Sequence, residues 1–384
     1  MSGAPKPSPR ASARIDLRAL RGNLERVRAH APGSQVMAIV KANAYGHGLV
    51  PVARALSTGP AAVDAFGVAC MAEALVLREA GLRHPVLLLE GVLDAADLRL
   101  AVHHGLDLVV HHPEQLALLE HTRLAVPVRV WVKLDSGMHR LGFPLQQARA
   151  LGQRLLQCPN VSPPLAWMTH LAYADDRRSL RTPEQLERFQ AAVRDLDGPR
   201  SVANSGGVLA WPQAHLDWVR PGIMLYGVSP FLGRSADQEG LRPVMSLHTR
   251  LIAVNPLCKG DAVGYGGTWV CPQDMPVGVA AIGYGDGYPR HAGIGTPVLV
   301  NGRRAALVGR VSMDMICLDL RGHDGARVGD PVVLWGAGLP VEEVARHAGT
   351  IPYELLCAVS QRVAFTVQDE PVLVSTGTGT NPPS

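Results

Sequence analysis

The chain has 384 residues, 47% of them hydrophobic and 18% charged, with a formal net charge of +4. That length exceeds one ordinary core and accommodates two domains, one of them as large as a barrel of about 250 residues. The small net charge forms no basic run and no apolar stretch approaches the roughly 20 residues of a membrane helix, so neither nucleic acid nor a membrane is expected as a partner.

Residues 1–12 are rich in Pro, Ser and Ala and lack an apolar stretch, which predicts a disordered tail and not a signal peptide. From Ala13 a strand begins, and Leu17, Leu20, Leu24 and Val27 then recur at helical spacing until Pro32 and Gly33. Short apolar runs follow at Met37 to Val40, Ala65 to Ala69, Val86 to Leu89, Leu106 to Val110, Val128 to Leu134, Leu165 to His170, Ser201 to Ala203 and Val219 to Tyr226. Most intervals carry helix-like patterns, such as Glu73 to Ala80 before Gly81. Eight strands alternating with helices predict a (β/α)8 TIM-like barrel over residues 13–248. A doubly wound sheet is the fallback, but no G-x-G-x-x-G loop follows a predicted strand.

In such barrels function gathers at the C-terminal strand ends. Here those ends carry Lys41, Asp135 with Arg140, His170, Asn204-Ser205 and Arg220. Lysine occurs only at positions 6, 41, 133 and 259, in a chain that otherwise uses arginine. A lysine following Ile39-Val40 therefore predicts a titratable amine. Desolvation lowers its pKa, and the neutral amine forms a Schiff base with an aldehyde, the chemistry of pyridoxal phosphate (PLP). The competing reading is a lysine whose stem packs while its head reaches water.

Beyond about Arg250, Gly, Pro and Val become frequent and turns such as Asn301-Gly302 separate the strands, predicting a C-terminal mainly β domain over 249–370. Residues 371–384 have little to bury and are expected to be disordered. The cysteines at 70, 158, 258, 271, 317 and 357 show no ligand spacing, so neither zinc nor a disulfide framework is indicated and a reducing cytoplasm fits.

The run Lys41-Ala-Asn-Ala-Tyr-Gly-His-Gly48 resembles the PLP-lysine signature of the alanine racemases, and the likeness extends through almost the whole chain. The resemblance implies that Lys41 holds the cofactor and that Tyr45, Asn204, Ser205, Gly222, Ile223 and Tyr353 surround its phosphate. It implies that Arg220 faces the pyridine nitrogen with His170 behind it, that Arg140 contacts the ring oxygen and the substrate carboxylate, and that Lys133, carbamylated in many members, positions Arg140 as a carbamate, a plain salt bridge being the alternative. Tyr265, in Gly-Tyr-Gly-Gly, and Met313, in Val-Ser-Met-Asp, would cross to a partner subunit, Tyr265 as the second acid/base and Met313 near the substrate carboxylate. Tyr284, Arg290, Asp175, Arg310 and Ile351 match the access route. Ser312 stands where some members have cysteine.

The expected activity is interconversion of L-alanine and D-alanine by a two-base mechanism, in a homodimer with shared sites, supplying D-alanine for peptidoglycan. A broad-specificity amino-acid racemase is the nearest alternative. A non-catalytic PLP carrier would stop near residue 230, and a barrel decarboxylase would place glutamate where this chain has Arg220.

Overall fold

The computed structural model describes residues 9–369. The predicted tails therefore lie largely outside it, although Arg10 is described and pairs with Asp286 at 2.9 Å. The opening helix, Leu17–His30, starts where Asp16 accepts hydrogen bonds from the Arg18 and Ala19 N–H groups, and it buries Leu17, Leu20, Leu24 and Val27, the four positions read from the spacing.

Eight parallel strands close a barrel: Gln35–Ile39, Ala65–Val68, Val86–Leu88, Asp107–Val110, Val128–Asp135, Val161–Met168, Arg200–Ser201 and Trp218–Val219. Closure comes from Asp107–Val110 pairing with Val128–Asp135 on one side and Gln35–Ile39 with Trp218–Val219 on the other. The eighth strand is much shorter than the apolar run that predicted it. Pro221 has no N–H to give a ladder, and Ile223–Tyr226 winds into a 3-10 turn beneath the barrel mouth.

The strand that begins near Ala13, inside the bounds expected for the barrel, lies elsewhere. Ser12–Asp16 pairs antiparallel with Met245–Leu257 and parallel with Ala364–Gln368, in the sheet of the second domain. Sequence proximity could not reveal this, because its partners lie more than two hundred residues away. In that sheet six strands close on one another through the 13-residue strand Met245–Leu257, which pairs at its two ends with Pro331–Trp335 and Met275–Ala280. The hairpin Pro297–Val300 to Arg303–Val308 turns at Asn301 and Gly302 with φ of 50° and 76°, as the Asn-Gly pair predicts.

Asn23 fastens the opening helix where the two domains meet. Its buried amide donates to the carbonyls of Leu225 at 3.0 Å and Arg242 at 2.9 Å, and its oxygen accepts from the Arg242 N–H at 2.9 Å. Asn23→Ala leaves these groups unpaired and should cost about 3 kcal/mol. Thermal unfolding followed by fluorescence would show a midpoint several degrees lower, whereas an unchanged midpoint would mean that the junction does not depend on this side chain.

Candidate active site

A cleft of about 710 Å³ opens at the C-terminal ends of the barrel strands. Lys41 stands on its floor, two residues beyond the strand that ends at Ile39. The chain then does something costly: Ala42, Asn43, Ala44 and Tyr45 all adopt left-handed φ between 52° and 55°. Each such residue costs roughly 1–2 kcal/mol, so the turn needs strong anchors. Glu73 supplies one, its carboxylate accepting from the Ala42 N–H at 2.6 Å and the Ala69 N–H at 2.9 Å. Asn43 supplies another by accepting from the Leu49 N–H at 2.8 Å. The turn swings Tyr45 back over the cleft, where its ring stacks on Tyr226 at 4.6 Å and approaches Tyr353 at 6.0 Å.

Burial raises the pKa of the Tyr45 phenol and pushes that of Tyr353 up to about 12, so both are neutral hydroxyl donors. Ser205 lies beside them, its oxygen accepting from the N–H groups of Gly222 at 2.9 Å and Met224 at 3.3 Å. A Cβ on Gly222 would overlap the Tyr45 hydroxyl, so glycine is required there. Ile223 lines the same wall. Asn204 has a local task in this geometry: its side chain caps Ser205–Ala210 by accepting from the Gly207 N–H at 3.0 Å.

Arg220 is buried and carries no carboxylate partner among the described residues. Its Nη atoms donate to Ser201 Oγ and the Thr169 carbonyl, both at 2.6 Å, and His170 Nδ1 lies at 3.4 Å. Burial lowers its pKa to about 10, which still leaves it charged at neutral pH. His170 is held well below the usual imidazole range by burial and by the nearby charges of Arg220, Lys133, Arg140 and Lys41. It is therefore neutral.

Lys133, on the strand Val128–Asp135, is 9% exposed, and its pKa is lowered to about 8 by burial and then by Arg220, Arg140 and Lys41. Asp135 organises the loop that presents Arg140: its carboxylate accepts from the N–H groups of Gly137, Met138 and His139 at 2.9, 3.0 and 3.1 Å. Among the described residues no group of three or more His, Cys, Asp or Glu side chains could hold a metal ion. No described helix is long and apolar enough to cross a membrane.

The structure thus gathers Lys41, Tyr45, Lys133, Arg140, His170, Asn204, Ser205, Arg220, Gly222, Ile223 and Tyr353 around one cleft. Tyr265 and Met313 are not among its walls. They stand exposed on the second domain at 67% and 53%, with Tyr265 in a turn whose glycines 264, 266 and 267 all have positive φ. Sequence reasoning missed Glu73 and Tyr226. Glu73 resembles any acidic residue in a helix's first turn and gave no signal. Tyr226 could have been found as the one aromatic closing the Val219 run.

A barrel carrying an amine at one strand end and a buried guanidinium at another, with a β domain attached, defines a two-domain enzyme that works by amine and anion chemistry at the barrel mouth. Residues 15–230 match the alanine racemase N-terminal domain and residues 244–367 the alanine racemase C-terminal domain. The chain belongs to the alanine racemase family. An alanine racemase of Nitrosococcus oceani is 58% identical to it, over 92% of this chain and 98% of that one. The crystal structure of the biosynthetic alanine racemase from Pseudomonas aeruginosa is 48% identical with a TM-score of 0.91, over 94% of this chain and all (100%) of that one. That of Acinetobacter baumannii is 38% identical with a TM-score of 0.88, again over 94% and 100%.

Gly46 offers a test of the strained turn. Its φ is 79°, and a Cβ there would overlap the Leu356 carbonyl in the helix Pro352–Ala358 that carries Tyr353. Gly46→Ala should slow racemisation of alanine by about tenfold or more in a chiral chromatography assay, the equivalent of roughly 1.4 kcal/mol. Gly33→Ala, with nothing within 4 Å of the added methyl, is the control. Equal rates in both would show that the turn and the helix do not set the cleft.

Proposed function

We infer that the chain is a PLP-dependent alanine racemase that works as a homodimer, each cleft being completed by Tyr265 and Met313 of the partner subunit. The observation that carries the reading is the pairing of Lys41 with an uncompensated, buried Arg220 in one cleft of a chain of this family. The walls fit the cofactor. Tyr45, Tyr353 and the Ser205 hydroxyl are neutral donors for a phosphate, Gly222 leaves the space, and with Nη1 of Arg220 held by Ser201 and Nη2 by Thr169 its Nε–H, which has no hydrogen-bond partner among the described residues, can aim at the ring nitrogen. Arginine donates without giving up its proton, which leaves the pyridine unprotonated and limits side reactions. A decarboxylase reading would require a carboxylate at this place.

Bound through Lys41, the cofactor supplies an electron-withdrawing ring that acidifies the Cα–H of an attached amino acid. The residues of the chain do the rest. Arg140, with Met313 of the partner, receives the substrate carboxylate. The Lys41 amine and the Tyr265 hydroxyl of the partner subunit then face opposite sides of Cα, one removing the proton and the other returning it, with Lys41 on the D side and Tyr265 on the L side. The products are L- and D-alanine, and D-alanine made in the cytoplasm would serve peptidoglycan. Exposure of Tyr265 and Met313 outside the cleft of their own chain supports the shared site.

Mixing the inactive variants Lys41→Ala and Tyr265→Phe tests this arrangement. Random reassortment makes about half the dimers mixed, each with one intact site, so racemisation should return to about a quarter of wild type when followed by chiral chromatography with excess PLP. If tagged subunits exchange and no activity returns, Tyr265 does not act across an interface. A second expectation concerns Lys133. Only the neutral amine adds carbon dioxide, and with a pKa of about 8 roughly a tenth is neutral at pH 7, against well under one in a thousand for an ordinary lysine. A carbamate at Lys133 should give a carbon-13 NMR signal after labelling with bicarbonate that Lys133→Arg abolishes. Acidification should lose the signal, since protonating the amine withdraws it from the reaction.

A further inference from the structure

We propose that Ser201 is the positioning residue that aims the Arg220 guanidinium into the cleft, an inference resting on the reading that PLP is the group bound there. Ser201 ends the strand Arg200–Ser201 and is fully buried. Its Oγ lies 2.9 Å from the Trp218 carbonyl and 2.6 Å from Arg220 Nη1. A carbonyl only accepts and a guanidinium only donates, so the direction of both bonds is forced: the hydroxyl proton points to Trp218 and a lone pair faces Arg220.

Trp218 lies opposite Ser201 in the neighbouring strand, two residues before Arg220. One hydroxyl therefore couples the strand that carries the arginine to the tip of that same side chain. The other nitrogen, Nη2, donates to the Thr169 carbonyl at 2.6 Å and lies 3.4 Å from the Val202 carbonyl. Because the guanidinium is planar, fixing both Nη atoms fixes the direction of Nε–H. All three acceptors are uncharged, so they orient the cation without neutralising it. A carboxylate in place of Ser201 would form a buried ion pair and draw the charge away from the cleft. Ser201 is the one side-chain oxygen in the set, the other two being backbone, and at 2.6 Å it is held more closely than His170 Nδ1, the other side chain near the guanidinium, which lies 3.4 Å from Nη2.

Without the Ser201 acceptor the guanidinium can turn, and the ring nitrogen loses a donor of fixed direction. Solvent can then protonate that nitrogen, which strengthens the ring as an electron sink. The expected sign is more half-transamination, in which water releases pyruvate and the amino group of alanine stays on the cofactor as pyridoxamine phosphate. A serine that only ties two strands together would lower stability and leave that partition alone.

The experiment uses the holoenzyme with excess PLP and compares wild type, Ser201→Ala and Ser201→Thr, the last keeping the hydroxyl. Pyruvate formed per racemisation event should rise about tenfold in Ser201→Ala, as for one lost hydrogen bond to a charged group, with weaker PLP binding in a fluorescence titration and both effects reversed in Ser201→Thr. Ser201→Cys, which keeps the volume but offers only a weak acceptor, replaces the alanine variant if that one does not fold. A partition and a PLP affinity equal to wild type in the alanine or cysteine variant overturn the proposal, even if its thermal midpoint falls. A wild-type protein that neither retains PLP nor racemises alanine would instead overturn the reading beneath it.

Discussion

Four cationic side chains, Lys41, Lys133, Arg140 and Arg220, converge on one cleft, while Asp135, at the end of the strand that carries Lys133, holds its own loop. Positive charge collected in a partly desolvated space is unfavourable, and the surroundings bear the marks of it. Lys133 and His170 lose proton affinity, and Arg220 is held by a serine and by backbone carbonyls with no opposing charge. Such a cleft attracts anions before any specific contact forms. At Lys133 it also makes neutral amine accessible at neutral pH, which an ordinary lysine does not offer.

Holding that charge in place requires backbone that is expensive by itself. The left-handed turn from Ala42 to Tyr45 is tolerable because Glu73, Asn43 and the Val40 carbonyl satisfy its polar groups, and because Gly46 lets the helix Pro352–Ala358 approach. The same turn brings Tyr45 over Tyr226, whose hydroxyl donates to the Ile39 carbonyl at 2.9 Å and so ties the aromatic stack to the strand that leads to Lys41. Local strain and long-range packing are thus one arrangement. Neither would persist without the other.

The two domains are joined more closely than their sequence character suggests. Ser12–Asp16, at the start of the chain, sits between strands of the second sheet, and Asn23 in the helix that follows clasps the segment leaving the barrel. Arg10 and Arg362 both reach Asp286, so a turn of the second domain is held by both ends of the described chain. The exposed Tyr265 lies on this domain, in a turn whose flanking glycines take positive φ.

The sequence by itself determined the eight barrel strands, the helix Leu17–His30, the Asn301-Gly302 hairpin and, among the residues that line the cleft, Lys41, Arg140, His170, Asn204, Ser205 and Arg220, because each is a local pattern: apolar period, cap, turn chemistry, or an unusual residue at a strand end. Its motif likeness also carried the family. What only the tertiary structure decided are the placements that join distant segments. Ser12–Asp16 belongs to the second sheet because its hydrogen-bonding edge is completed by residues 245–248 and 364–368. Glu73 serves the Lys41 turn, and Ser201 serves Arg220, because the closed barrel sets neighbouring strand ends and helix starts within hydrogen-bond reach. A residue's period reports which face it buries, but the partner across that face is fixed only when the chain closes, and polar partners leave no periodic trace.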